Sequence, residues 1–151
     1  MYDVIIIGRG PAGLSAALYV VRAGQSVLVV AQDEGQIAKA EKVDNYYGFS
    51  ETTSGPELQK NTLAQALRLG VDFAEATVTG IVWDNYFRVS SAEGEWEARA
   101  VILATGMPKR KARLPGLDLY EGKGVSYCAT CDGFFYRGKT VGVIGNADYA
   151  L

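Results

Sequence analysis

The sequence predicts an α/β fold in which a parallel sheet carries an inserted β-meander. The first observation is a short β-branched run, Val4–Ile7, which lacks alternation and is typical of a parallel strand buried on both faces. The second is that a glycine-rich turn and a segment of helical periodicity follow this run directly, before another apolar strand. The third is an unpatterned apolar run, residues 100–104, which ends a stretch of strand and turn signals and is expected to return to the same sheet.

The turn after the first strand, residues 8–13, reads G-R-G-P-A-G and matches the pattern G-x-G-x-x-G. Gly8 would make the tight turn, Gly10 would let the backbone approach a pyrophosphate, and Gly13 would let the helix pack on the strand. Apolar residues then recur at helical spacing until Gly24, which suits a helix end. The free N–H groups of the helix N-terminus favour an anionic group. The candidate pyrophosphate-binding residues are Gly8, Gly10, Pro11, Ala12 and Gly13.

The second strand, residues 26–31, closes a strand–helix–strand unit, so the sequence predicts a Rossmann-like dinucleotide site. The fingerprint expects an acidic residue about 20 positions further on to bind a ribose hydroxyl. That position is occupied by uncharged Ala31 or Gln32, and Asp33 comes slightly late. We therefore expect backbone groups or the Gln32 amide to contact the ribose. The alternative is a glycine-rich turn in an ordinary α/β fold, which would bind no dinucleotide.

Residues 32–55 show no clear periodicity, and a loop of this length in a compact domain is usually functional. The loop contains Gln36 and Asn45. The Asn45 amide suits a polar ligand, and an Asx turn is the structural alternative. A helix is then predicted with its cap at Ser54, a proline in its first turn and its end at Gly70.

Strand signals follow this helix. Strands are predicted over residues 71–82, 86–90 and 96–103, separated by turns at Asp84-Asn85 and near Glu93-Gly94. These strands form the β-meander inserted into the α/β frame. The last apolar run leads to Ala104, Thr105 and Gly106, where a ligand is expected because the carboxyl ends of parallel strands line the binding crevice.

A second domain is predicted to begin near residue 117. Residues 107–118 resemble a linker, and the basic side chains there could face an acidic partner or a phosphate, or belong to a solvated connector. Residues 139–145 then look like a new buried strand, whose neighbours the short remaining chain cannot supply. We therefore divide the chain into a domain over 1–116 and the start of a second dinucleotide-binding fold over 117–151. We expect it to be the N-terminal portion of a longer protein.

The composition argues against several classes of function. The net charge is −2, which gives no general attraction to nucleic acid, and no histidine is present to act as a general base or metal ligand. No apolar run approaches the roughly 18 residues of a membrane span, and because the chain enters a strand at once we expect no signal peptide. We therefore expect a cytoplasmic protein that binds no nucleic acid, no membrane and no metal.

The two cysteines, Cys128 and Cys131, are separated by two residues. This spacing suits a small-ring disulfide and can lower the pKa of a thiol. Zinc would need two further ligands from a chain that has no other cysteine and no histidine, and a pair of idle thiols is the remaining alternative. Asp132 follows the second sulfur, and a carboxyl within hydrogen-bond reach can donate or accept a proton at a thiolate. These three residues are the candidate catalytic group.

Taken together, the motifs resemble the low-molecular-weight thioredoxin reductase family. They are GRGPAGLSAALY, the GQI loop, VDNYYGF, VILATGMPKRKARLPG and GKGVSYCATCDGFFYRGKTVGVIG. The resemblance covers essentially the whole chain, and CATCDG before a second dinucleotide fold is its most specific part. It implies a homodimeric flavoprotein whose FAD domain is split around an inserted pyridine-nucleotide domain. This chain would be the first part of the FAD domain and the opening of the inserted domain.

The resemblance also implies roles for individual residues. Gly8 to Gly13 would hold the FAD pyrophosphate, and Asn45 would lie beside the flavin. The other positions expected to contact FAD are Ala31, Gln32, Gln36, Val78, Ala104, Thr105 and Gly106. Cys131 would be the sulfur nearest the flavin, Cys128 its partner, and Asp132 the acid that moves protons during exchange with a thioredoxin-like protein.

The second glycine-rich segment, residues 145–150, departs from the family pattern. Ala147 stands where the family has a glycine that admits the pyrophosphate, and Asp148 lies beside it. Two electron donors are therefore open: NADPH, which the family commonly uses, and ferredoxin, which a branch with a degenerate nucleotide site uses. A non-enzymatic flavin-binding redox regulator and a chain that is inactive on its own are further alternatives.

Overall fold

The computed structural model describes residues 1–107 and 114–145. The chain divides into two compact units, which are described separately below. The first comprises Met1–Lys39 and Gly55–Gly106, and the second comprises Ala40–Ser54 and the described part of Met107–Leu151. Residues 40–54, part of a loop of the predicted first domain, are thus grouped with the later part of the chain. The predicted domain boundary at residue 116 stays a prediction.

The first unit is built on a six-stranded mixed sheet. Its strands are β1 (Tyr2–Ile7), β2 (Val27–Val30), β3 (Asp72–Ala74), β4 (Val78–Asp84), β5 (Tyr86–Ser91) and β6 (Glu95–Leu103). Their order is β3-β2-β1-β6-β5-β4, in which β1 pairs in parallel with β2 and β6, and β2 with β3. The strands β4, β5 and β6 form an antiparallel meander. The predicted α/β fold, a parallel core with an inserted meander, is confirmed.

Two helices pack on one face of the parallel strands. The first, α1 (Pro11–Arg22), begins at a proline, where a missing N–H costs nothing, and ends before Gly24, whose φ of 75° is left-handed. The second, α2 (Gly55–Arg68), ends before Gly70. The core on this face comprises Ile6, Leu14, Ala17, Val27, Val29, Ala66 and Val71. Both helices lie where the sequence predicts them.

A second cluster fills the opposite face of the sheet. It comprises Ile5, Ile7, Leu28, Val30, Ala76, Val89 and Ala98, and so draws on the meander as well as on β1 and β2. Because β1 and β2 are buried on both faces, their sequences show no alternation. The strand β6 pairs with β5 over residues 95–98 and with β1 over residues 98–103, so one strand links the meander to the parallel core.

The predicted strand over residues 71–82 is divided in the structure. The strand β3 extends the parallel side next to β2, and only β4 belongs to the meander. Between them the Ala76 N–H donates to the Ala31 carbonyl at 3.3 Å, so the backbone turns back toward the end of β2. Apolar periodicity alone does not reveal this break, because residues on both sides of it are apolar.

The second unit consists of short elements. Val43 and Thr53 form an antiparallel bridge, and Glu121 and Val125 form a parallel one. A short helix, α3 (Ala129–Asp132), lies between single 3-10 turns at Leu117–Tyr120 and Gly133–Tyr136.

The strand predicted over residues 139–145 is not formed, and the backbone there is irregular and exposed. A strand needs a neighbour for its hydrogen bonds, and none of the described residues offers one. The basic residues of the predicted linker, Lys109, Arg110, Lys111 and Arg113, lie outside the described residues. So do residues 146–150, which are most of the second glycine-rich segment.

Candidate functional site

The glycine-rich turn lies at the carboxyl ends of three neighbouring strands. The Gly8 N–H donates to the Val30 carbonyl at 2.9 Å, which ties the turn to the end of β2. The Ala104 N–H donates to the Ile7 carbonyl at 2.8 Å, which ties the end of β6 to the end of β1. The sequence-predicted residues of the turn and of the 104–106 segment are therefore brought together at one edge of the sheet. In α/β folds this edge is where ligands bind.

The three glycines of the turn meet different surroundings. A Cβ on Gly8 would overlap the Ala104 carbonyl oxygen, and Gly8 has a φ of 109°, a conformation that side chains rarely adopt. A Cβ on Gly13 would overlap the Gly8 carbonyl oxygen, so α1 packs directly on the turn. At Gly10 no atom lies within 4 Å of the Cβ position. The backbone is therefore tightly packed at Gly8 and Gly13 and leaves open space at Gly10. A backbone site for a ligand requires such an open position.

The N-terminus of α1 offers unpaired donors at this open position. Gly10 is the N-cap and has no side chain to accept from the helix, and the first α-helical bond runs from the Leu14 N–H to the Gly10 carbonyl at 3.0 Å. Pro11 has no N–H, so the N–H groups of Ala12 and Gly13 are the donors left at the helix start. No acidic residue lies in the first turn. Donors of this kind, together with the helix dipole, fit the pyrophosphate of a dinucleotide.

A second group of predicted residues meets where β2 ends. The Ala31 N–H donates to the Ala74 carbonyl at 3.1 Å. The Thr77 hydroxyl donates to Oε1 of Gln32 at 2.7 Å, and Val78, the next residue, begins β4. Ala31, Gln32 and Val78 are thus adjacent, and Gln32 is held with its amide at an exposed strand end. This arrangement suits contact with a ribose or a base.

The remaining predicted cofactor residues are exposed. Gln36 begins a single 3-10 turn, Gln36–Lys39, in the first unit. Thr105 and Gly106 follow the end of β6. Asn45 is also exposed and belongs to the second unit, where the structure gives it no described hydrogen bond. Its role beside a flavin stays a prediction.

The structure adds residues that the sequence analysis did not single out. Gln59 of α2 is only 3% exposed, and its Nε2 donates to the Arg9 carbonyl at 2.7 Å, inside the glycine-rich turn. The Arg9 Nε donates to the Asp33 carbonyl at 2.9 Å. A polar side chain next to Leu58 on the buried face of a predicted helix is the signal that could have drawn attention to Gln59.

The two cysteines form a disulfide in the second unit. The bond joins Cys128 to Cys131, with their Cα atoms 5.3 Å apart. Cys128 is the N-cap of α3, and its sulfur accepts from the Cys131 N–H at 3.2 Å. Cys128 is half-buried and Cys131 is exposed.

The carboxyl group of the residue after the second cysteine is held by a hydroxyl. The Ser126 hydroxyl donates to Oδ2 of Asp132 at 2.5 Å and accepts from the Cys128 N–H at 3.0 Å. The Asp132 N–H donates to the Cys128 carbonyl at 3.1 Å. Ser126 therefore links the predicted acid to the backbone of the first cysteine. The sequence analysis missed it, and its signal would have been a hydroxyl residue two positions before the first cysteine of the pair.

The sequence of both sites can be compared with known proteins. The profile of the pyridine nucleotide-disulphide oxidoreductase family matches residues 2–151. The chain belongs to this family.

Curated relatives and solved structures agree with this assignment. The thioredoxin reductase of Bacillus subtilis (strain 168) is 42% identical over 154 residues, covering 100% of this chain and 48% of the relative. That of Treponema pallidum (strain Nichols) is 45% identical over 152 residues, covering 99% of this chain and 50% of the relative. The thioredoxin reductase structure from Streptococcus pyogenes MGAS5005 superposes with a TM-score of 0.85 at 39% identity, over 90% of this chain and 45% of that one.

A further solved structure is the atypical thioredoxin reductase TRi from Desulfovibrio vulgaris Hildenborough, with a TM-score of 0.67 at 44% identity over 91% of this chain and 47% of that one. The predicted resemblance to low-molecular-weight thioredoxin reductases is thus confirmed. This member of the pyridine nucleotide-disulphide oxidoreductase family spans about half the length of the curated relatives it matches. Among its described residues, no helix has the length and apolar character to cross a bilayer.

Proposed function

We propose that the protein to which this chain belongs is an FAD-dependent disulfide oxidoreductase. In this proposal, electrons pass from reduced flavin through Cys128 and Cys131 to the disulfide of a thioredoxin-like protein. The observation that carries it is the closed Cys128–Cys131 disulfide, with the Asp132 carboxyl joined through the Ser126 hydroxyl to the Cys128 N–H. A disulfide next to a proton-transfer group, in a family defined by disulfide oxidoreduction, fits redox exchange better than a structural cross-link.

The first unit supports the cofactor part of the proposal. The glycine-rich turn and the N–H groups of Ala12 and Gly13 would hold the pyrophosphate, and the residues at the end of β2 would contact the adenosine. Ala104, Thr105 and Gly106 would lie along the cofactor where β6 ends. When bound, FAD supplies an electron pair to the disulfide.

The exchange itself uses groups of this chain. Two electrons and two protons convert the Cys128–Cys131 disulfide to two thiols, with cleavage of the S–S bond. One cysteine thiolate then attacks a sulfur of the partner's disulfide and forms a mixed disulfide, and the other cysteine attacks in turn. This second attack releases the partner with two thiols and restores the Cys128–Cys131 bond. Asp132 would hold or move the proton at the sulfur, because it follows Cys131 directly in the chain and its carboxyl is oriented by Ser126, which also accepts from the Cys128 N–H.

The electron donor is proposed to be NADPH, with ferredoxin as the second candidate. The observation that favours ferredoxin is sequence-based: Ala147 replaces the glycine expected in the second glycine-rich segment, and Asp148 adds a negative charge there. A Cβ at that position hinders close approach of a pyrophosphate, and the carboxylate repels it. The proposal also includes a homodimer, as the family resemblance implies.

The deciding experiment is anaerobic reduction of the full-length protein after incubation with FAD. We expect yellow protein whose flavin absorbance is bleached by NADPH, followed by the appearance of two thiols per oxidised thioredoxin added. Bleaching by reduced ferredoxin and not by NADPH would identify the second donor. Bound FAD without any thioredoxin reduction from either donor would favour a non-enzymatic redox regulator. Protein that stays colourless with excess FAD would overturn the proposal.

A further inference from the structure

One buried polar contact lies behind the glycine-rich turn. Gln59 is 3% exposed, and among the described residues every buried side-chain N or O atom has a hydrogen-bond partner. The Gln59 amide finds its partner in the Arg9 carbonyl, at 2.7 Å. A buried amide needs such an acceptor, since leaving it unpaired costs free energy. The contact therefore joins α2 to the second residue of the turn.

This contact constrains more than the Arg9 carbonyl. The Arg9 C=O and the Gly10 N–H belong to one planar peptide unit, and in a trans peptide the two groups point in opposite directions. Holding the carbonyl toward α2 therefore points the Gly10 N–H away from α2. Among the described residues no acceptor takes that N–H, and a Cβ added at Gly10 would meet no atom within 4 Å. The donor is thus left without a protein acceptor at the residue of the turn where a side chain would meet no atom.

A surface contact supports the same peptide from the other side. The Arg9 Nε donates to the Asp33 carbonyl, and Oδ1 of Asp33 accepts from the Gly35 N–H at 2.8 Å. Gly35 has a φ of 76°, and a Cβ there would lie 3.4 Å from the Gly10 Cα. The loop after β2 is thus folded tightly and packs against the turn. The loop holds the Arg9 side chain, and Gln59 of α2 holds the Arg9 carbonyl. The Arg9–Gly10 peptide therefore has little freedom to rotate.

We propose that Gln59 is a positioning residue for the cofactor: its amide orients the Arg9–Gly10 peptide so that the Gly10 N–H is ready to donate to the FAD pyrophosphate. The inference rests on the proposed function, because it assumes that FAD lies across this turn. Without the Gln59 amide the peptide could rotate, and binding would then have to restore its orientation. Preorganised donors bind more tightly because that cost is already met.

The test measures FAD affinity and the ³¹P spectrum of bound FAD in the full-length protein. Gln59→Met keeps the volume of the side chain and removes the donor, so we expect the dissociation constant to rise about fivefold to tenfold, or about 1–1.4 kcal/mol. At saturating FAD, the pyrophosphate resonances should move, because one of their hydrogen bonds changes. Gln65→Met, the same change at an exposed position of α2, is the matched control and should alter neither quantity.

A variant at Arg9 keeps the proposal testable even if Gln59→Met folds poorly. Arg9→Lys preserves the charge but lacks the planar guanidinium that contacts Asp33, and we expect a rise of about threefold in the FAD dissociation constant. Wild-type affinity in both variants would overturn the positioning role while leaving the proposed function intact. Weaker binding with unchanged ³¹P resonances would also overturn it, since it would indicate a purely structural effect. A wild-type protein that does not bind FAD would remove the proposed function and this inference together.

Discussion

Gly10 and Gly13 belong to the same motif, yet their surroundings assign them different physical roles. At Gly13 an added Cβ would overlap the Gly8 carbonyl oxygen, so the absence of a side chain is a packing requirement. At Gly10 an added Cβ meets nothing within 4 Å, and the φ of −72° is accessible to any residue. The fold alone therefore gives no reason for a glycine at position 10. A ligand that occupies the space next to Gly10 would give such a reason, because an added Cβ would take part of that space.

This difference predicts opposite effects of two alanine substitutions. Gly13→Ala should lower the free energy of unfolding by about 1–3 kcal/mol, because the helix must shift to relieve the overlap. Gly10→Ala should leave that free energy within about 0.5 kcal/mol of wild type, but weaken FAD binding by about tenfold or more. Urea unfolding and FAD titration measure the two quantities. Equal FAD affinity in Gly10→Ala and wild type would contradict a pyrophosphate at Gly10.

Single residues also mark the limit of prediction from the sequence. The sequence predicted which glycines form the turn, because their spacing is tied to a strand before and a helix after. It did not predict Gln59 or Ser126, because each acts through a partner that is not its neighbour in the sequence. Gln59 contacts a residue 50 positions earlier, and no local pattern encodes such a contact. Ser126 acts through a side chain six positions later, which only the fold of the segment brings close.

At the scale of elements, a polar group at the start of β1 holds three strands together. The Asp3 N–H donates to Oγ of Ser26, and Oδ2 of Asp3 accepts from both the N–H and the hydroxyl of Ser26, at 2.9 and 2.7 Å. Arg99 of β6 lies 3.4 Å from Oδ1 of Asp3. Hydrogen bonds from the Ser26 hydroxyl and then from its backbone lower the pKa of Asp3 below its usual 3.8, with Arg99 adding a smaller effect.

This lowered pKa predicts a pH-dependent contribution to stability. The folded protein binds the Asp3 proton less tightly than the unfolded chain, so the stabilisation is present above about pH 4 and is lost as the pH falls through the folded pKa. Asp3→Asn should therefore melt at a lower temperature than wild type at pH 7, and the difference between the two melting temperatures should shrink steadily as the pH falls below about 4. Ser26→Ala, which removes the hydroxyl, should show the same convergence. A difference in melting temperature that stays the same as the pH falls would contradict this assignment.

Elements were predictable where their signals were local and complete. The prolines in the first turns and the terminal glycines of α1 and α2 stand in the sequence next to the apolar periodicity, so both helices were located correctly. The strand over 139–145 was predicted from its apolar residues alone, and it is not formed because a strand depends on neighbours that no local signal guarantees. The same reason explains the split of residues 71–82: the end of β2 determines where the backbone leaves the sheet.

At the scale of the whole molecule, the chain carries its two chemical groups in separate units. The dinucleotide-type turn belongs to the first unit, and the disulfide with Asp132 belongs to the second. Disulfide exchange between dithiols of similar reduction potential has an equilibrium constant near one. A difference of only about 30 mV changes that constant tenfold. In the proposed function, the electron donor bound by the full-length protein, and not the disulfide alone, therefore sets the direction of flow.

This separation predicts that flavin binding and disulfide turnover can be uncoupled in the full-length protein. Cys128→Ser and Cys131→Ser should each retain FAD and allow the donor to bleach the flavin, because neither cysteine lies in the unit with the glycine-rich turn. Each should reduce thioredoxin turnover by roughly a thousandfold or more, since a single thiol cannot accept and pass on an electron pair by disulfide exchange. Thr130→Ser changes a residue between the two cysteines without touching a sulfur, and should keep turnover within about threefold of wild type. Turnover that survives in either cysteine variant would show that electrons reach the partner by a route other than the Cys128–Cys131 disulfide.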